Sequence, residues 1–424
     1  MQLADTDKRM LDGDHGPAAQ QAMAHLVKLG EAFEADTMVD VHSVHLFSDW
    51  LLMNEAGLQL YQRFVGLGAK MRVHSSCEPI GFDLSRGGEF KLPPEYYTKQ
   101  MELIRCLRSM DVVLTFSNLI HLTQNCPKLG DNIAWIEGNA TGWANSVAGA
   151  RGNRESPINS LMAGITGRLP RYGLLREENR RAQVIIEIDP AIIDSFGKPG
   201  SASCDWSSLG MLVGDLAFDK IPAVVGLPKH MKIEELKAFC SMCSPALTTT
   251  LILMVGISPE APTLEAAFGG RVPDHVERKR VTLEQLKDGY ASMSQAPTTH
   301  IDGVLTGCPY KTIYELQELA DLLEGKRIRD GLFFWIYTDQ AIWTLAESSG
   351  LRERIERSGA RLYHDACPVM IPHDRLFGPD KVFAADSVKM VRLIRGIGKP
   401  NFLFGPLPDL IDAAVTGEFV STRW

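Results

Sequence analysis

The sequence predicts an α/β fold of parallel sheets flanked by helices. Three observations carry that prediction. Short apolar, β-branched runs alternate with helix-like stretches in both the first and the last third of the chain. The runs end in small polar residues, the usual lip of a parallel sheet. At 424 residues, with 45% hydrophobic and 23% charged residues, the chain is long enough to bury a large core without disulfide or metal staples.

Taken in order, residues 4–35 read as helix, with Met23, Leu26, Val27 and Leu29 on one side. Strand-like runs follow at 38–43 (MVDVHS), 70–76 (KMRVHSS) and 111–117 (DVVLTFS), separated by helix-like residues 57–67 and 94–109. Residues 130–180 are rich in Gly, Asn and Ser, a composition that suits turns, caps and close backbone approach to a ligand. A stretch of that length inside a domain is usually functional. Residues 182–189 read as a strand and 232–245 as a helix, while 246–257 fits either a buried strand or a helix.

The α/β rhythm then returns. A strand at 301–306 leads into a Gly307-Cys308-Pro309 turn and a helix at 312–323. A strand at 332–338, a helix at 339–358 and a strand at 361–364 precede Asp365-Ala366-Cys367-Pro368. A last run at 382–385 leads to Asp386-Ser387 and Lys389. The expected division is an α/β region over 1–295, containing the Gly/Asn-rich segment, and a C-terminal α/β domain over 296–424.

Charge and targeting exclude several functions. Lys and Arg total 44 against 52 Asp and Glu, a formal net charge of -8, with no basic run. Nucleic acid and anionic membrane are therefore not expected partners. The N-terminus carries four Asp within 14 residues, so it does not read as a signal peptide. The longest apolar run, around 246–257, is shorter than the roughly 20 residues a bilayer span needs. The expected location is cytoplasmic, where the eight cysteines stay reduced.

Candidate site residues stand at the strand ends: Ser43 and His45, then Ser75 and Ser76, then Ser117 and Asn118, then Cys308, Cys367, Ser387 and Lys389. Cys308 sits where a strand meets a helix, and the positive end of a helix favours thiolate, the metal-binding form. Cys367 repeats the Cys-Pro arrangement, so the pair reads either as a metal or iron–sulfur site or as two structural cysteines. Cys240 and Cys243 form a C-x-x-C inside a helix and read as core packing. Arg151 and Arg154, among glycines and asparagines, suit bidentate binding of a carboxylate or phosphate, or stand as solvated surface charges. Glu137, after Trp135, is a candidate buried acid.

The segment GDNIAWIEGNATGWANSVAGARGNRE (130–155) resembles the signature of the aconitase X family. So do SVH (43–45), HSS (74–76), WSSLGMLVG (206–214), TGCPY (306–310), DAC (365–367) and DSVK (386–389), in the same order along the chain. The resemblance covers roughly residues 1–395. It implies an aconitase-like multi-domain α/β fold and a hydro-lyase. Family members dehydrate cis-3-hydroxy-L-proline or mevalonate 5-phosphate, and a hydroxyproline-like anionic acid suits the few basic residues here better.

The resemblance also implies an iron–sulfur cluster on three cysteines and a small swivelling domain, fused or separate. The chain is similar to the separate large subunit, so a small partner subunit is expected. Cys308 and Cys367 match two of the cluster cysteines. The third position holds Asn118; Cys126 and Cys77 lie near it in sequence as substitutes, and the alternatives are a single divalent metal ion on Cys308, Cys367 and oxygen ligands, or no metal. A cluster-less paralogue that isomerises or merely binds a small acid is the other alternative. Asn145, Ser146, Arg151, Arg154 and Ser387, with Lys389, are then expected to hold substrate, Ser43, His45, Ser75 and Ser76 to line the pocket, and a serine alkoxide or His45 to act as base.

Overall fold

A computed structural model describes residues 1–371, 378, 380–398 and 401–424. Its described strands form three parallel sheets and one antiparallel pair. The first orders His74–Cys77, Ser43–Leu46 and Ile133–Trp135. The second orders Leu253–Met254, Pro222–Val225, Val184–Ile188 and Glu277–Val281. The third orders Arg361–Tyr363, Phe333–Thr338, Gly303–Lys311, Val382–Ala385 and Asn401–Phe404. Helices flank these sheets, as the α/β rhythm predicts. Each parallel neighbour needs a crossover, and helices between strands supply it. No described helix is long and apolar enough to cross a membrane.

Glycine and proline account for several departures from the expected elements. The helix expected over 4–35 is two, Asp5–Asp12 and Pro17–Ala32, separated by Gly13 in the left-handed region (φ 91°). The helix expected over 339–358 breaks likewise into Gln340–Ser348 and Leu351–Arg357 at Gly350 (φ 76°). In the ambiguous 246–257, Ala246 ends helix Ile233–Ala246 and Leu253–Met254 form a short strand.

The strand ends also move. The run at 38–43 divides into Met38–Asp40, antiparallel to Arg168–Pro170, and Ser43–Leu46 in the first sheet. Ser43, His45, Ser75 and Ser76 therefore lie within strands, not beyond them. Residues 111–117 form no strand. Thr115 Oγ1 takes the ladder positions opposite Cys77, accepting from its N–H at 2.9 Å and donating to its carbonyl at 2.8 Å. Phe116, at φ 41°, then turns the chain away.

The strand expected over 301–306 continues as Gly303–Lys311, and the helix starts at Ile313, capped by Thr312. The supposed turn at Gly307-Cys308-Pro309 is an irregular stretch inside this strand: Thr306 pairs with Ile336 and Lys311 with Thr338. Gly307 is required there, because a Cβ would stand 2.3 Å from the Tyr337 carbonyl oxygen.

The WSSLGMLVG motif lies in helix Ala202–Ala217, packed on helix Ile233–Ala246. A Cβ on Gly210 would meet the Phe239 carbonyl at 2.2 Å, and one on Gly214 the Cys243 carbonyl at 2.7 Å. The two glycines let the helix backbones touch. Cys240 and Cys243 are buried in this packing, in line with their reading as core.

Candidate functional site

The first sheet aligns the polar residues of the site. His45 stands opposite Ser76 and Trp135, while Val44 stands opposite Ser75 and Ala134. Successive side chains along a strand alternate faces. Ser43, His45, Ser76 and Trp135 therefore share one face, and Ser75 falls on the other. Ser75 Oγ donates instead to the Val73 carbonyl at 2.8 Å, so Ser75 does not line the site with His45. The sequence pattern HSS could not separate the two serines without the strand register.

On the shared face, Ser43 Oγ accepts from Trp135 Nε1 at 3.1 Å. Ser76 Oγ lies 2.9 Å from His45 Nδ1 and accepts from Asn125 Nδ2, also at 2.9 Å. His45 Nε2 stands 3.1 Å from Glu78 Oε1, yet neither atom has a satisfied hydrogen bond. Burial drives the His45 pKa down to about 3, against the pull of Glu137. An imidazole held neutral in this way binds a proton weakly, which counts against His45 as the general base. Burial also holds the Glu78 carboxyl well above the usual range; Glu137 adds to this and Lys389 opposes it.

Lys389, near the start of helix Val388–Gly398, is the buried cation of the site. Its ammonium donates to Glu137 Oε1 at 2.5 Å and, in a very short contact, to Asn139 Oδ1. Burial is the largest single effect and works against its charge, but Glu137, Cys308 and Glu78 together outweigh it and raise the pKa above the ordinary lysine value. An ammonium has three donors, so one remains for a ligand. Glu137 also accepts from the Asn139 and Ala140 N–H groups at the start of helix Gly138–Trp143.

Arg154 stands beside that helix start. Its Cδ and Nη1 lie 3.5 and 3.6 Å from where a Gly138 Cβ would be. The side chain is exposed and has no ion-pair partner among the described residues. Arg151, by contrast, faces the surface and pairs with Glu177 at 3.4 Å.

Asn145 and Ser146, expected to bind substrate, are structural clips. Asn145 Nδ2 donates to the Gly152 carbonyl at 2.8 Å, the Thr250 carbonyl at 3.0 Å and Thr250 Oγ1 at 3.1 Å. Its Oδ1 accepts from Gly152 N–H at 3.0 Å and Arg180 Nη1 at 3.1 Å. Ser146 Oγ accepts from the Ile252 N–H at 2.9 Å. Ser387 Oγ donates to the Cys308 carbonyl and accepts from the Met390 N–H, so it orders the thiol's backbone. Arg180 was not singled out by sequence: it is buried and binds Glu260, Ala150, Leu174 and Asn145. Nothing local marks it.

The thiols Cys308 and Cys367 are both buried. Cys308 lies inside a strand, not at a helix start, so no helix terminus lowers its pKa. Burial pushes the thiol up to about 11, with Lys389 pulling the other way. Burial raises Cys367 too, and Cys308 adds to the effect, as expected of neighbouring thiols. Asn118 Oδ1 accepts from the Tyr310 N–H at 2.9 Å and ties the Cys308 strand to the first sheet region. Cys126 is exposed. Among the described residues, Asp83, His364 and Asp365 form a His/Cys/Asp/Glu group whose ligand atoms lie within 4.8 Å of one another, and neither Cys308, Cys367 nor Cys126 belongs to such a group. A carboxamide supplies no thiolate, so the residues present do not fit a three-thiolate iron–sulfur cluster.

Family models of the aconitase X first, second and third domains match residues 1–178, 182–291 and 301–416. The chain belongs to the aconitase X family. This aconitase X chain is 28% identical to the phosphomevalonate dehydratase large subunit of Methanocaldococcus jannaschii, covering 97% of the chain and 99% of that protein. It is 30% identical to the cis-3-hydroxy-L-proline dehydratase of Pseudomonas aeruginosa, covering 97% of the chain and 70% of the relative. The crystal structure of Thermococcus kodakaraensis aconitase X in its holo-form superposes with a TM-score of 0.84 at 30% identity, over 98% of this chain and all of the other. The aconitase X family points to a metal or iron–sulfur cofactor, while the donor set here offers two thiols.

Proposed function

We propose that this chain is the large, catalytic subunit of a hydro-lyase that removes water from a small anionic hydroxy acid of the cis-3-hydroxy-L-proline kind. One observation carries the reading: a buried ammonium, Lys389, fixed by Glu137 and Asn139 beside the polar face of His45, Ser76 and Glu78. A buried cation with a free donor neutralises the charge that grows on a carboxylate as its α-proton departs. The unpaired Arg154 beside Gly138 supplies a second, bidentate contact for the same carboxylate. Kinship along the whole chain with dehydratases supports the reaction class.

A carboxylate suits this site better than an added phosphate, since Arg151 turns away to Glu177 and leaves Lys389 and Arg154 as the cations at hand. The second reading is a mevalonate 5-phosphate dehydratase, favoured by the match over 99% of the archaeal large subunit. A small second subunit is part of both readings, since relatives matched over nearly their full length are named large subunits. Co-expression with candidate small subunits, followed by turnover of both acids, tests them: dehydration of cis-3-hydroxy-L-proline supports the first, of mevalonate 5-phosphate the second. Turnover of neither leaves the non-dehydrating paralogue. Iron and acid-labile sulfide per chain decide the cofactor. Stoichiometric sulfide requires a ligand other than a third cysteine at 118, and a divalent ion without sulfide supports the single-metal alternative on Cys308 and Cys367.

A further inference from the structure

We infer that Glu78 is the acid that protonates the departing hydroxyl, and that His45 and Ser76 position it. The inference rests on the dehydratase reading above. It starts from the strand register, which sets His45 and Ser76 on one rung, with Glu78 just past the end of the strand His74–Cys77.

Ser76 Oγ accepts from Asn125 Nδ2 at 2.9 Å. Ser76 Oγ is within donating distance of the Val44 carbonyl at 3.3 Å and of His45 Nδ1 at 2.9 Å, and we place its hydrogen on the nearer acceptor, His45 Nδ1. A neutral imidazole then carries its hydrogen on Nε2, on the side of Glu78 Oε1 at 3.1 Å. Nε2 and Oε1 are both buried, and neither completes a hydrogen bond. A buried donor and a buried acid oxygen left side by side in this way call for a third polar atom. The oxygen of a substrate hydroxyl satisfies both, accepting one hydrogen from His45 Nε2 and one from the Glu78 carboxyl. Of the three side chains, Glu78 is the one that reaches the edge of the buried region, at 5% exposure against none for His45.

The groups facing Glu78 fit the role. Burial and then Glu137 favour the protonated carboxyl, and Lys389 favours the carboxylate left afterwards. In the step itself the elimination's base takes the carbon-bound proton, and that electron pair becomes the second carbon–carbon bond. The C–O bond breaks with its pair on oxygen, and the Glu78 proton forms the new O–H bond. Water leaves, and the proton held by the base returns to Glu78.

The test uses the chain with its co-expressed small subunit. In wild type, infrared spectra at pH 7 should show the carbonyl stretch of a buried protonated carboxyl that disappears in E78Q. With a turned-over hydroxy acid, E78Q should lose roughly 10²- to 10⁴-fold in kcat while KM changes by less than about threefold. Exchange of the carbon-bound hydrogen with D₂O should continue, because the base is untouched. S76A, which releases His45 and takes one acceptor from Asn125 Nδ2, should lose about tenfold in kcat and shift the pH profile. Absence of the carboxyl band at pH 7, or E78Q turnover within about threefold of wild type, overturns the inference. If wild type dehydrates no hydroxy acid, the functional reading fails, while the infrared band still decides whether Glu78 holds the proton.

Discussion

Two polar regions of this protein are buried alike and yet finish differently. In the segment 144–152, Asn145 uses both ends of its carboxamide on Gly152, Thr250 and Arg180, and Ser146 holds the Ile252 N–H. On the first sheet, His45 Nε2 and Glu78 Oε1 face each other with no hydrogen bond completed. The first region is the more conspicuous in sequence, and it is a clip between elements. The second is a pair of residues 33 positions apart with nothing in common as a motif, and it keeps free donors and acceptors. Hydrogen-bonding atoms left without partners, not density of polar residues, mark where a ligand belongs.

The sharpest break of that comparison comes at Lys389, which belongs to the reactive region. Lys389→Met leaves Glu137 buried without its cation, so stability should fall by about 3–5 kcal/mol. Turnover of the folded fraction should fall roughly 10²- to 10³-fold. Melting temperature and steady-state kinetics on the same preparation separate the two effects. Asn145→Ala tests the clip: it strands Arg180, Gly152 and Thr250, and about 3 kcal/mol of stability should go. KM of the surviving folded enzyme should stay put, and a KM change without loss of stability would return Asn145 to the substrate.

Asp49 sharpens the comparison from the other side, because it is buried and fully bonded yet still carries a penalty. It caps helix Trp50–Gly66 by accepting from the Leu52 N–H at 3.2 Å, and it accepts from Tyr96 Oη at 2.6 Å. Burial raises its pKa from 3.8 to about 6. The folded state thus binds this proton more tightly than the unfolded one. The stability it contributes is complete below pH 3.8 and is lost as pH rises through about 6. Denaturant titrations from pH 4 to 7 should show that decline, amounting to up to about 3 kcal/mol, in wild type and a flatter line in Asp49→Asn.

The two arginines should differ as the two regions do. Arg154→Ala should raise KM about 10- to 100-fold with little change in melting temperature, since the guanidinium has no partner to lose among the described residues. Arg151→Ala, which removes only an exposed pair with Glu177, should alter stability by less than about 0.5 kcal/mol and leave kinetics unchanged.

Much of the fold was legible. The runs at 182–189, 332–338, 361–364 and 382–385 became strands, and 94–109 became a helix, because apolar periodicity and caps act over a few residues. Lys389, Arg154 and Glu137 were legible as residue types in a suitable place. Glu78 and Arg180 were not, since neither stands in a motif and each draws its role from residues distant in sequence. Ser75 and Ser76 could not be told apart either, because a period of two gives the faces but not which face meets His45.

By itself the sequence determined the α/β class, the family and the acidic character that removes nucleic acid from the expected partners. These rest on local patterning and on residue identity. The tertiary structure alone decided which polar atoms pair and which stay open. Lys389 meets Glu137 across 252 positions, Tyr310 meets Asn118 across 192, and Ser76 meets His45 across 31. Side-chain chemistry is set where such distant residues are brought into one low-dielectric space, and no window along the chain contains that space.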